Sequence, residues 1–227
     1  MSNFIIIGEN IHTTRSIKLG GIRTKLIDDK DVIAYRKKGN VFSIMDIPEH
    51  FEETQPYKQG QLKHFMIAIW QGMNGNTSQG IDYIKWEAER QISNSASFLD
   101  INVDEYSYKL DEQISAMKWL VNIIKQFSTV PISVDSSNPE IIKAGLNEYE
   151  NHMRPMVNSL SLERIDLIDT VIDNNAQVVI SAASESSMPE DANERIENLT
   201  KLIDIVSNKG LKQEDLFIDP LIFPINL

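Results

Sequence analysis

The sequence predicts an α/β fold in which parallel strands close into a (β/α)8 barrel of the TIM type, and three observations predict it. Six apolar runs of strand length, at 4–9, 98–103, 131–135, 156–160, 177–182 and 216–220, alternate with stretches of helical period. Four of these runs end in a carboxylate or a carboxamide, at Asp100 and Asn102, Asp135, Asn158 and Asp219, and a parallel barrel builds its active site from the C-terminal ends of its strands. Finally, Gly8-Glu9-Asn10-Ile11-His12 lacks the second and third glycines that admit a dinucleotide after the first strand. The open, doubly wound alternative thereby loses its main support.

Each element has its own reason. After the first strand comes an excursion, 12–75, that fits no simple βα unit. It holds a basic patch (Arg15, Lys18, Arg23, Lys25), a short strand at 41–45, Pro48 and Pro56, and a helix-like segment at 61–70. So long an insertion reads equally as a lid over the barrel mouth and as a surface or oligomer-interface elaboration. The first barrel helix is expected over roughly 77–96. From Leu110, apolar residues at 114, 117, 120, 121 and 124 keep helical spacing, with Asp111 and Glu112 in the first turn. Asn138-Pro139-Glu140 places a cap before a first-turn proline. A further helix starts at Ser161, with Ile165, Leu167, Ile168 and Val171 as its apolar face, and a last one runs from about Pro189 to Asn208, closed by Gly210.

The arithmetic leaves two βα units missing, since a closed barrel needs eight strands and typically ~250 residues. The expectation is a single domain over 1–227, cut after its sixth strand and carrying the 12–75 insertion.

Composition narrows the function classes. Cysteine is absent, which removes disulfides, thiolate metal sites and a cysteine nucleophile. With 33 acidic against 22 basic residues and a formal charge of -11, nucleic acid is a poor partner. No basic leader precedes Phe4, and no apolar run approaches the ~18 residues of a membrane span, so a cytoplasmic protein without membrane contact is expected. No Gly-x-Ser-x-Gly elbow surrounds Ser184–Ser187, which argues against a serine hydrolase. His50, His64 and His152 have no metal-site spacing, and no metal site is expected.

Five stretches, taken in order, resemble the pterin-binding methyltransferases: Phe98-Leu-Asp-Ile-Asn-Val103, Ala116-Met-Lys-Trp-Leu-Val121, Ile132-Ser-Val-Asp-Ser-Ser-Asn138, Val157-Asn-Ser159 with Glu163-Arg164, and Leu216-Phe-Ile-Asp-Pro-Leu-Ile-Phe-Pro224. Dihydropteroate synthases share that barrel. The resemblance covers 4–9 and about 80–227 and skips the insertion. It implies a methyltransferase that takes methyltetrahydrofolate (or tetrahydrofolate) in the barrel mouth and moves the N5 methyl group to or from the cobalt of a cobalamin-type corrinoid protein. A dihydropteroate synthase-like condensing enzyme and a noncatalytic pterin-binding subunit are the alternatives. A homodimer is the assembly it allows.

Carried over residue by residue, the resemblance implies that Asp135, Asn158 and Asp219 hydrogen-bond the pterin, with Asp100 and Asn102 completing the floor. Carboxylates suit the pterin's N–H donors, and an amide both donates and accepts. Asp135 also fits a plain helix cap, and Asp104 and Glu105 read as solvated loop acids. Glu9 keeps the family's glutamate, whereas Asn10 and His12 replace its arginine and asparagine, so His12 is either a new substrate contact or a structural loop histidine. Arg195 reads first as a surface salt bridge to Glu190 or Asp191 and second as a support for the loop after strand five. The family's asparagine near N5 would fall beyond Leu227, so no catalytic residue is named.

Overall fold

A computed structural model describes residues 4–39, 41–150 and 152–222, and residue contacts divide the chain into two units, Met1–Val130 and Pro131–Leu227.

The first unit opens with β1 (Ile7–His12). The strand lies three residues later than the apolar run at 4–9 suggests, and Phe4, Ile5 and Ile6 are 85%, 53% and 43% exposed. A four-residue apolar run does not specify its own register; a partner strand does. The excursion that follows contains β2 (Ile17–Lys18), an antiparallel sheet of β3 (Thr24–Ile27), β4 (Lys30–Lys38) and β5 (Val41–Asp46), two single-turn helices α1 (Glu49–Glu52) and α2 (Gln55–Lys58), β6 (Gln61–Leu62) and α3 (His64–Asn74). Of this, sequence periodicity anticipated β5 and most of α3. Gln61 and Leu62 pair with Lys18 and Ile17 instead of joining the helix.

Helix α4 (Thr77–Ser93), β7 (Phe98–Asn102) and α5 (Leu110–Ile124) complete the unit, close to their expected limits. Strands β1 and β7 are parallel, with His12 opposite Asn102 and an irregularity between Gly8 and Ile11. Every residue of β7 is buried, as expected of a strand covered on both faces. The three-stranded sheet is fastened to the flank of α4: Tyr35 donates to Asp82 at 2.7 Å, Arg36 pairs with Asp82 at 3.2 Å, and Arg23 pairs with fully buried Glu87 at 3.2 Å. Arg23, one of the residues of the basic patch, is a partly covered structural ion whose guanidinium also lies 5.1 Å from the Trp86 ring. This part of the excursion is a flank elaboration. Helices α3 and α4 cross at Gly80, where a Cβ would stand 2.4 Å from the Ala68 carbonyl and the Gly72 amide.

The second unit alternates β8 (Ile132–Asp135), α6 (Pro139–Glu148), β9 (Met156–Leu160), a 3-10 segment Leu162–Leu167 running into α7 (Ile168–Asp173), β10 (Gln177–Ser181), α8 (Ala192–Asn208) and β11 (Leu216–Asp219). The four strands pair in parallel in that order, with Asp135 opposite Asn158 and Ser181 opposite Asp219. Asn138 caps α6 by accepting from the Glu140 amide at 2.9 Å. The helix expected from Ser161 is broken at Arg164 (φ -121°, ψ 35°), which leaves Ile165 46% exposed while Leu167, Ile168 and Val171 are buried. Helix α8 starts at Ala192 and not at Pro189, because Asp191 accepts from the Glu194 amide at 2.9 Å. Gly210, at φ +103°, closes it. Among the described residues, no helix is long and apolar enough to cross a membrane.

Candidate functional site

In the second unit, parallel pairing sets the strand ends side by side. Asp135, the last residue of β8, and Asn158, midway along β9, are register partners, and both are half-buried. A strand-end Asp before Ser136-Ser137-Asn138 suggested a helix cap, but Asn138 itself makes that cap, and buried Ser136 Oγ supports it by accepting from the Asn138 amide at 3.0 Å. Asp219 ends β11, half-buried, and its Oδ1 accepts from the Leu221 amide at 2.9 Å, while its own carbonyl accepts from the Ala182 amide. One carboxylate oxygen of Asp219 thus shapes its loop.

Two arginines organise the loops around these residues. Arg164 donates to the Ser136 carbonyl at 2.9 Å and to Ser159 Oγ at 3.1 Å, tying the segment after β8 to the end of β9. Its guanidinium thereby bridges the neighbours of Asp135 and Asn158. Sequence reading placed Arg164 in a motif without assigning it a task, because the spacing of Ser136, Ser159 and Arg164 has no local pattern. Arg195 departs from both of its expected roles: it donates to the carbonyls of Pro220 at 2.9 Å and Leu221 at 3.3 Å. It holds the loop after β11, next to Asp219, and neither an ion pair with Glu190 or Asp191 nor the loop after β10. The closing Phe223-Pro224 of the matching stretch lies outside the described residues.

The strand ends of the first unit carry a second polar set. Asp100 is fully buried and Asn102 is 5% exposed. His12, 7% exposed, stands at the end of β1 because that strand extends to it, so it is no loop histidine. Its Nε2 is hydrogen-bonded to Asp100 Oδ2 at 2.7 Å. Asn102 Oδ1 accepts from the Asp104 amide at 3.0 Å, and Thr13 Oγ1 accepts from the Glu105 amide at 3.1 Å. Glu105 is an exposed loop acid, as expected, and Lys63 meets it at 2.7 Å. Glu9 is exposed and faces Arg15 at 3.4 Å, apart from the buried set.

In the second unit, the half-buried carboxylates of Asp135 and Asp219 and the carboxamide of Asn158 give an acceptor-rich set that also donates through Asn158. Such a set suits a flat heterocycle with N–H and ring-nitrogen edges.

Comparison with known proteins points the same way. Residues 73–226 match the family described as pterin binding enzyme. The chain is 29% identical over 178 residues to a methionine synthase of Mycobacterium tuberculosis, and 29% identical over 147 residues to one of Mycobacterium leprae. These alignments take in 70% and 61% of this chain but only 14% and 12% of those proteins. Among solved structures, a dihydropteroate synthase from Vibrio fischeri superposes with a TM-score of 0.51 at 17% identity, over 62% of this chain and 56% of that one. One from Xanthomonas albilineans gives 0.50 at 21%, over 62% and 54%. At those identities the likeness is one of fold, the dihydropteroate synthase-like α/β barrel.

Proposed function

Because this chain belongs to the pterin-binding enzyme family, we propose that it takes methyltetrahydrofolate at its strand ends and transfers the N5 methyl group to or from a corrinoid protein. The observation that carries the pterin reading is the registered pair Asp135 and Asn158, with Arg164 bracing the loops on both. Likeness to the methionine synthases supports methyl transfer over other pterin chemistry.

In this reading Asp135 and Asp219 accept from the amino and ring N–H groups of the pterin, and Asn158 donates to a ring acceptor and accepts from a neighbouring donor. Asp100 and Asn102, within the first unit, are assigned as further pterin-binding residues. His12, held against Asp100, is the polar contact that this chain substitutes for the family's asparagine, and Glu9 is assigned an outer role. Arg195 acts by holding the loop beside Asp219. The N5 methyl is a poor electrophile until N5 gains positive charge, so the protein contributes by orienting the ring and favouring a proton there. A corrinoid on a partner protein would supply the cobalt nucleophile. The carboxylate and amide set offers hydrogen bonds and no charge pair for a pyrophosphate, which sets this reading apart from a condensing enzyme.

The test is calorimetric titration of the chain with methyltetrahydrofolate, followed by optical detection of methyl transfer to free cob(I)alamin. Binding with transfer is the expected result. No binding would overturn the pterin reading, and tight binding without transfer to any corrinoid would leave a binding subunit in place of a methyltransferase.

A further inference from the structure

Helix α3 carries two apolar faces where a surface helix ordinarily carries one. Phe65, Ile67, Ala68 and Ile69 are fully buried, whereas Met66, Trp70 and Met73, at i, i+4 and i+7, form a second stripe that is only half-covered. That stripe floors an open groove of about 1230 Å³ within the first unit. Phe51 and His50 wall one side, and Tyr106, Tyr108 and the start of α5 wall the other. The floor is braced by rings, with His50 4.6 Å and Phe51 6.3 Å from Trp70.

The groove exceeds the ~300–1,000 Å³ usual for a small molecule. Its rim is acidic: Asp104, Glu105, Asp111 and Glu112 line it, and two cations meet them, Lys63 on Glu105 at 2.7 Å and Lys109 on Glu112 at 2.8 Å, so acids outnumber bases among the described residues there. Methionines with an aromatic floor make an adaptable apolar surface. A folate conjugate would bring anionic glutamates to a rim of net negative charge, and a second copy of this chain would bring its own charge of -11. Both are electrostatically mismatched. We infer that this groove docks a helical segment of a partner protein with one apolar face and basic flanks, as amphipathic helices fill apolar grooves elsewhere. The inference is independent of the pterin reading.

Two fluorescein-labelled amphipathic 14-residue peptides test it by anisotropy against the whole chain. Both carry leucine on one face; one carries lysine and the other glutamate on its flanks. The lysine peptide should bind at least tenfold more tightly than the glutamate peptide and weaken as salt rises. The pair Asp111→Lys with Glu112→Lys should cost at least fivefold, and Met66→Gln with Met73→Gln a similar factor at unchanged melting temperature. The control pair Glu197→Lys with Asp204→Lys, on α8, should leave binding unchanged. Equal binding of the two peptides overturns the inference, as does an equal loss from the control pair. So does displacement of the peptide by methyltetrahydrofolate triglutamate, or a wild-type dimer in sedimentation that the Asp111/Glu112 reversals dissolve.

Discussion

Asp135 and Asn158 illustrate how a strand end becomes a recognition element. Asp135 ends β8 and Asn158 lies midway along β9, and parallel pairing alone brings them into register. A hydrogen bond to a charged group is worth ~1.5–3 kcal/mol. Replacing Asp135 with alanine is therefore expected to weaken methyltetrahydrofolate binding by roughly 10- to 100-fold in calorimetry; unchanged affinity would remove Asp135 from the site. Arg164 works on its neighbours through Ser136 and Ser159. Arg164→Gln should lower pterin affinity by about three- to tenfold, and Arg164→Lys should fail to restore it, because an ammonium does not reproduce the planar fork that reaches both partners. A lysine variant with full affinity would show that charge alone suffices.

At the scale of elements, the helix starts and stops were legible where a local side chain makes them. Asn138 before Pro139 announced α6, and Asn138→Ala should cost about 1 kcal/mol in denaturant unfolding, with Asn138→Asp close to neutral. Where the deciding contact is distant, local pattern misled. The 3-10 segment at Leu162–Leu167 replaces a regular helix at the point where the Arg164 side chain reaches back to Ser136. The α3–α4 crossing depends on the missing side chain of Gly80. Gly80→Ala, a change that would help an isolated helix, should here cost about 1–3 kcal/mol, because its methyl meets backbone atoms that cannot yield. A neutral or stabilised alanine variant would mean that the two helices have room to separate.

For the molecule as a whole, acid is the informative stress. His64 is buried against Tyr83, 2.8 Å from its hydroxyl, and burial, with the charge of Arg23 second, pushes its pKa down to about 3. The unfolded chain takes up that proton near the ordinary value of 6.5 and the folded chain resists it. The neutral ring's contribution is thus complete above about 6.5 and is lost as pH falls from there towards 3. It amounts to roughly 3–5 kcal/mol. Asp215, held below the usual carboxylate range by Arg154 at 2.8 Å, adds a loss in the same direction as its folded pKa is approached. Stability followed by urea unfolding should fall steeply below pH 6, and His64→Gln should flatten the upper part of that limb. An unaltered pH profile in the variant would rule out His64 as the cause.

The sequence by itself determined the alternation of strands and helices from Thr77 onward, most helix limits, and the strand-end placement of Asn102, Asp135 and Asp219, whereas Asp100 and Asn158 fall in mid-strand. These follow from period, caps and strand length, all local properties of the chain. Only the tertiary structure decided that β1 extends to His12 and sets it against Asp100, that Arg195 holds the loop after β11, and that Arg23 is neutralised within the excursion by Glu87. It likewise decided that the excursion packs on α4 through its antiparallel sheet. Each is a pairing across 25 to 88 positions. Register and ion partners over such separations are chosen by burial and geometry, on which the order of residues in a single sequence is silent.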